Sequence, residues 1–206
     1  YVFLDWRNTS PAQYPYVVGG QQNFQWNSIE TTQQGVYNWQ PVDSWITAEA
    51  SLGKPVGLRF NSYDGICCGG AWMPEWYMLR YPSGNGFVTC QYQGHTYQIP
   101  KYWSSSYLQA WSSFIHAAAA RYDNDPRVAW VEISAGMFGE TIPVDNELDS
   151  CFASNGLTSA VWVQTVNAIT DIYRSAWQNK PLMLQYATYF LDRWERREFT
   201  DYAGNH

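Results

Sequence analysis

Glu140 closes the stretch Gly136-Met137-Phe138-Gly139-Glu140, a few residues beyond Val128–Ile133, an apolar run that reads as a strand covered on both faces. Glycines on either side let the backbone turn sharply and leave room for a ligand. An apolar setting made by Met137, Phe138 and nearby tryptophans would raise a carboxyl pKa towards the range of a general acid. The alternative is a surface glutamate that caps the next segment. Glu132 lies inside the strand; buried there, it must be paired, and Arg59 on the neighbouring predicted strand is the expected partner. Glu30, four residues after Trp26, either lines the mouth of a pocket or ends a strand. Asp64 and Glu75 sit among Tyr63, Trp72 and Trp76. Aromatic rings beside carboxylates suit sugars, whose C–H faces stack on rings while their hydroxyls take hydrogen bonds; ordinary loop packing is the alternative for the two tryptophans.

Other chemistries find little support. There is no G-x-S-x-G elbow, no H-E-x-x-H and no Walker loop. The four cysteines contain no C-x-x-C pair, and His95, His116 and His206 stand far apart, so no metal site and no cofactor are expected. A disulfide from Cys67 or Cys68 to Cys90 would close a loop rich in glycine, proline and aromatics; four buried free thiols are the alternative. The formal charge of −6 argues against a nucleic-acid partner, which needs a basic face. No run approaches the roughly 20 apolar residues of a membrane span. Aromatics at 18% against 15% charged residues exclude a disordered chain. Polar surface drawn from Asn, Gln, Ser and Tyr, with a sequon at Asn8-Thr9-Ser10, leans towards an extracellular or secreted protein. The sequence opens on Tyr1 without a leader, which reads as a processed, excised or incomplete N-terminus.

The elements that must hold these residues follow from periodicity. Tyr16-Val17-Val18 to Phe24–Trp26 reads as a strand. A helix is signalled from Gln40 by Pro41 in its first turn and ends before Gly53. Val56–Phe60 is a short strand, and residues 61–103 form a long aromatic loop insertion, a length that is usually functional. A helix is predicted over Ser104–Arg121, a strand over Val128–Ile133, a helix over Ser159–Trp177, a strand over Pro181–Tyr186 and a charged helix around Asp192–Phe199. Strands alternating with helices imply parallel strands joined by crossovers, hence an α/β fold. Lacking a glycine-rich phosphate loop, and with its long loops after the strand ends, the chain fits a (β/α)8 barrel better than an open doubly wound sheet.

Two stretches resemble the clan A glycoside hydrolases, most closely β-galactosidase-like barrels and their relatives. Phe24-Gln25-Trp26-Asn27-Ser28-Ile29-Glu30, followed by Gly35-Val36-Tyr37-Asn38-Trp39 and Asp43, is similar to their W-x-x-x-E-P-x-x-G-x-Y-x-W segment, with Thr31 in place of the proline and one extra residue before Gly35. Arg121-Tyr122, Asp125-Pro126-Arg127-Val128 and the run to Gly139-Glu140 resemble the passage into strand four that ends in the acid/base, with Gly139 where many members have Asn. Gly53–Arg59 fits strand three. The resemblance implies a single partial barrel over residues 1–206, with about strands one or two to five present and two open sheet edges. It also implies a retaining hydrolase of O-glycosidic bonds in oligo- or polysaccharides. Glu140 would be the acid/base, Trp26, Glu30, Arg59, Tyr63, Asp64, Trp72, Trp76 and Tyr186 would shape the sugar subsite, and the nucleophile would lie outside the chain in a missing C-terminal half. A non-catalytic carbohydrate-binding barrel is the alternative.

Overall fold

The computed structural model describes residues 2–5, 16–187, 189 and 193–205. The Asn8 sequon and the start of the last predicted helix, Asp192, lie outside them. In chain order the elements are β1 (Val2–Asp5), β2 (Val17–Gln25), α1 (Trp26–Ile29), α2 (Gln40–Ser51), β3 (Val56–Asn61), α3 (Glu75–Arg80), β4 (Phe87–Tyr92), β5 (His95–Pro100), α4 (Ser105–Tyr122), β6 (Val128–Glu132), α5 (Asp149–Ser154), α6 (Ser159–Ala176), β7 (Leu182–Met183) and α7 (Arg193–Asn205). Strands β1, β2, β3, β6 and β7 pair in that order, each parallel to the next, which leaves β1 and β7 at the edges among the described residues. The last predicted strand is much shorter than expected: only Leu182–Met183 pairs with β6.

Local chemistry explains the main helices. Ser104 accepts the Tyr107 amide at the start of α4, and Thr158 accepts that of Val161 at the start of α6. Gly53, at φ +70°, carries the chain away from α2. The helices bury their apolar faces against one side of the sheet, where Val56, Leu58, Phe60 and Val131 are inaccessible to solvent. At the centre of this layer the fully buried Trp26 ring meets Trp76, Tyr77, Tyr107, Trp111 and Phe114 at centroid separations of 5.2–6.2 Å.

Residues 61–103 are not a loop. They contain α3 and the antiparallel hairpin β4–β5, and Val88, Cys90 and Ile99 of the hairpin are buried. The cysteine pairing differs from both expectations: Cys90 bonds Cys151, and Cys67 bonds its neighbour Cys68. Cys90–Cys151 joins the hairpin to α5, so the segments that follow β3 and β6 are covalently tied. Four cysteines allow several pairings, and spacing carries no information about which thiols the fold brings together.

Two positions on the sheet are set by close approach. A Cβ on Gly57 would collide with the Trp130 indole beside it, and one on Gly20 would lie 2.8 Å from Oε2 of Glu49 on α2. Glu49 is fully buried; burial raises its pKa, and the nearby Lys54 charge only partly offsets this. Two outcomes are expected. Gly57→Ala will lose about 1–3 kcal/mol of stability in urea unfolding through overpacking. For Glu49, a folded-state pKa above the unfolded one means that its contribution is fully present below the unfolded value and is lost as pH rises through the folded value. Glu49→Gln will therefore raise the urea midpoint at pH 7–8 and leave it little changed near pH 4.

Candidate active site

The sheet face opposite the helices carries polar side chains. Arg59 on β3 lies 3.6 Å from Glu132 on β6, and Gln21 on β2 donates to the other carboxylate oxygen at 2.8 Å. The expected Arg59–Glu132 pair is present, with Glu132 almost fully buried. Gly139 presses against this pair with bare backbone. It sits at φ +85°, and a Cβ there would come within 2.7 Å of Arg59 Cδ and 2.9 Å of Glu132 Oε1. Its neighbour Phe138 adopts φ 58°, rare for a residue with a side chain. Sparsely populated backbone conformations of this kind persist only where the surroundings over-determine them, and they cluster at functional sites.

That turn is pinned from several directions. The Phe138 amide donates to the Tyr63 carbonyl, and the Met137 amide to that of Ile142. Thr141 is fully buried; its amide donates to the Gln185 carbonyl, its hydroxyl exchanges hydrogen bonds with Ala187, and its carbonyl accepts the Trp162 indole N–H. Between these fixed points stands Glu140, half-buried, beyond the C-terminal end of β6. The Gln185 amide donates to its Oε1. Burial raises its pKa, with the Arg59 charge pulling the other way. A carboxyl whose pKa is raised and that stays partly accessible suits delivery of a proton to a bound oxygen.

Several sequence-predicted subsite residues lie elsewhere. Trp26 is in the core, and Glu30, 1% exposed, uses its carboxylate to accept the Trp26 indole N–H at 2.8 Å and the Gly35 amide at 2.6 Å. Neither lines a mouth; together they clasp the segment after β2. Tyr63 is fully buried and donates to Asp145 at 2.6 Å, while Trp72 and Trp76 are 9% and 8% exposed and pack within the insertion. The reading of these rings as open stacking platforms is corrected by their burial. Asp64 is half-buried and accepts from Asn61 at 3.3 Å, and Tyr186 is half-buried one residue beyond Gln185. Arg59 is brought to Glu140. Sequence reasoning missed Gln185 and Asp145. Gln185 had a signal, a polar residue in a predicted strand parallel to the one leading to Glu140; Asp145 had none. Among the described residues no cluster of His, Cys, Asp and Glu could hold a metal ion, and no helix is long and apolar enough to cross a membrane.

No family model matches this sequence, and no curated protein sequence does. Solved structures do. The catalytic domain of β-amylase from Paenibacillus polymyxa superposes with a TM-score of 0.62 at 9% identity, over 78% of this chain and 56% of that one. A β-galactosidase from the haloarchaeon Halorubrum lacusprofundi gives 0.58 at 12% identity, over 96% and 38%. Endo-glycoceramidase II from Rhodococcus sp. gives 0.51 at 16%, over 83% and 42%. The fold is therefore that of the glycoside-hydrolase barrels, in part: the chain spans between about a third and just over half of the chains it matches.

The hydrogen bond from Gln185 favours the charged form of Glu140, so its loss acts in one direction. Gln185→Leu is expected to raise the Glu140 pKa further, read as an upward shift in the titration of its carboxyl carbon by NMR; a downward shift would contradict this geometry.

Proposed function

We propose that this chain is the acid/base-bearing part of a retaining glycoside hydrolase acting on oligo- or polysaccharides. Residues 1–206 would form one partial barrel unit, and the nucleophile and the remaining barrel strands would come from residues outside them. The observation that carries the reading is Glu140: a half-buried carboxyl with a raised pKa beyond the C-terminal end of a parallel strand, the face where barrel enzymes keep their sites.

In this mechanism protonated Glu140 gives its proton to the glycosidic oxygen as the bond to the anomeric carbon breaks. A second carboxylate, about 5–5.5 Å away, attacks that carbon and holds it as a covalent glycosyl intermediate. Glu140, now a carboxylate, takes a proton from the water that releases the sugar. Arg59 would limit how far its pKa rises, and Gln185 would fix the orientation of its carboxyl plane. Glu132 is committed to Arg59 and Gln21, which argues against it as the nucleophile. The two disulfides support a secreted protein, since such bonds persist in oxidising compartments.

The alternative, a barrel that binds carbohydrate without cleaving it, needs exposed rings. The burial of Trp26, Tyr63, Trp72 and Trp76 removes four of the candidates and weighs against it. Aryl glycosides assayed with the full-length protein separate the two. Glu140→Gln is expected to lower kcat by about a thousandfold, the usual worth of a general acid/base. Azide, which needs no general base, will restore turnover of a substrate with an activated phenol leaving group and yield a glycosyl azide. Undiminished turnover in the variant would overturn the role of Glu140, and failure of the unaltered protein to cleave any aryl glycoside would leave the binding reading.

A further inference from the structure

The insertion builds a cleft of about 310 Å³ between the turn 65–70 and strand β5, lined by Tyr63, Ile66, Gly69, Gly70, Ala71, Thr96, Tyr97 and Gln98. Its base is rigid. The Asp145 carboxylate takes both the Tyr63 hydroxyl and the Ile66 amide, and an isolated antiparallel bridge pairs Tyr63 with Ala71. Gly65 packs with no side chain against Met137 and Phe138, so this wall of the cleft rests on the turn that carries Glu140. The tip of the turn is the bonded pair Cys67–Cys68, both exposed. Linking adjacent cysteines closes a small ring through their shared peptide and restrains the glycines that follow, which line the cleft.

The lining restricts what can bind. It contains no Lys, Arg, His, Asp or Glu, so nothing there compensates a charged ligand. The exposed Gln98 amide would be wasted on a purely apolar ligand, while the Thr96 hydroxyl is already bonded to Gln91 across the hairpin. The half-buried Tyr97 adds an aromatic ring. The volume lies at the lower end of ligand pockets, enough for a single ring rather than a chain.

We propose that this cleft is an accessory subsite for one neutral pyranose ring, distinct from the position of bond cleavage, with Tyr97 as its stacking surface, Gln98 as its hydrogen-bonding group, and the Cys67–Cys68 bridge as the brace of its wall. It rests on the reading of the chain as a carbohydrate-acting protein, and it would hold a sugar unit remote from the scissile bond.

Saturation-transfer NMR on the full chain tests it, with the methyl glycosides of glucose, galactose and mannose as probes. At least one probe will receive saturation, and its affinity will fall about fivefold in both Tyr97→Ala and Gln98→Ala, the loss expected for one stacking or hydrogen-bonding contact. The doubly substituted Cys67→Ser/Cys68→Ser chain will also bind more weakly. No transfer to any of the three sugars, or transfer undiminished in Gln98→Ala, whose exposed side chain is not needed for folding, overturns the subsite. Undiminished transfer in the double cysteine variant removes the bridge from it. None of these readings depends on turnover, so a chain that binds here but cleaves nothing would fail the catalytic proposal alone.

Discussion

The carboxylate of Glu30 is the point on which much of the structure depends. It is buried, it accepts the Trp26 indole N–H and the Gly35 amide, and its raised pKa records what burial costs even with both bonds made. Trp26 begins the short helix α1, so a residue four positions on lies over the same face and meets it. The clasp fixes the Trp26 ring where helices α3 and α4 converge, and the rings of Trp76, Tyr77, Tyr107, Trp111 and Phe114 pack around it. Without that carboxylate the indole N–H would be left unpaired in the core, a cost of about 1–3 kcal/mol before any repacking. An aromatic content this high is thus mostly interior material.

The two faces of the sheet divide the labour. One is apolar and covered by helices; the other places Gln21, Arg59 and Glu132 together. A buried ion pair is a weak source of net stability but a strong source of position, since removing either partner leaves a charge without compensation. Gly139 exploits this by lying directly on the pair. Any larger residue would have to push Arg59 or Glu132 aside, and Arg59 is also the charge that tempers Glu140. The space beside Gly139 is thus already taken by the ion pair.

What the sequence made legible follows the strength of the periodic signal. Helices α2, α4 and α6 fall within a residue or two of their expected ends, because apolar spacing, Pro41, Ser104 and Thr158 all agree. The Arg59–Glu132 pair was legible because a charge on a buried strand has few options. The roles of Trp26 and Glu30 were not: a spacing of four says that two side chains meet on a helical turn, not whether that turn faces a pocket or the core. The hairpin β4–β5 had a signal that went unread. Phe87-Val88-Thr89-Cys90 and its partner flank Gln93-Gly94, both at positive φ (49° and 78°), the geometry of a tight hairpin turn. The density of glycine, proline and tryptophan around it masked the alternation.

The insertion changes what positions the site. In a bare barrel, the segment after β6 would take its shape from the strand ends alone. Here the Tyr63 carbonyl accepts the Phe138 amide, Asp145 gathers the Tyr63 hydroxyl and the Ile66 amide, and Cys90–Cys151 locks the hairpin to α5. These contacts bracket Glu140 on both sides in sequence, so its turn is held between the polar sheet face below and the insertion above. A loop restrained at that many points gives up little further freedom when a ligand arrives, which is the condition for placing a proton donor with the accuracy that bond cleavage demands. It also means that the insertion and the Glu140 turn share a packed contact: Gly65 lies bare against Met137 and Phe138, two residues of backbone before Glu140.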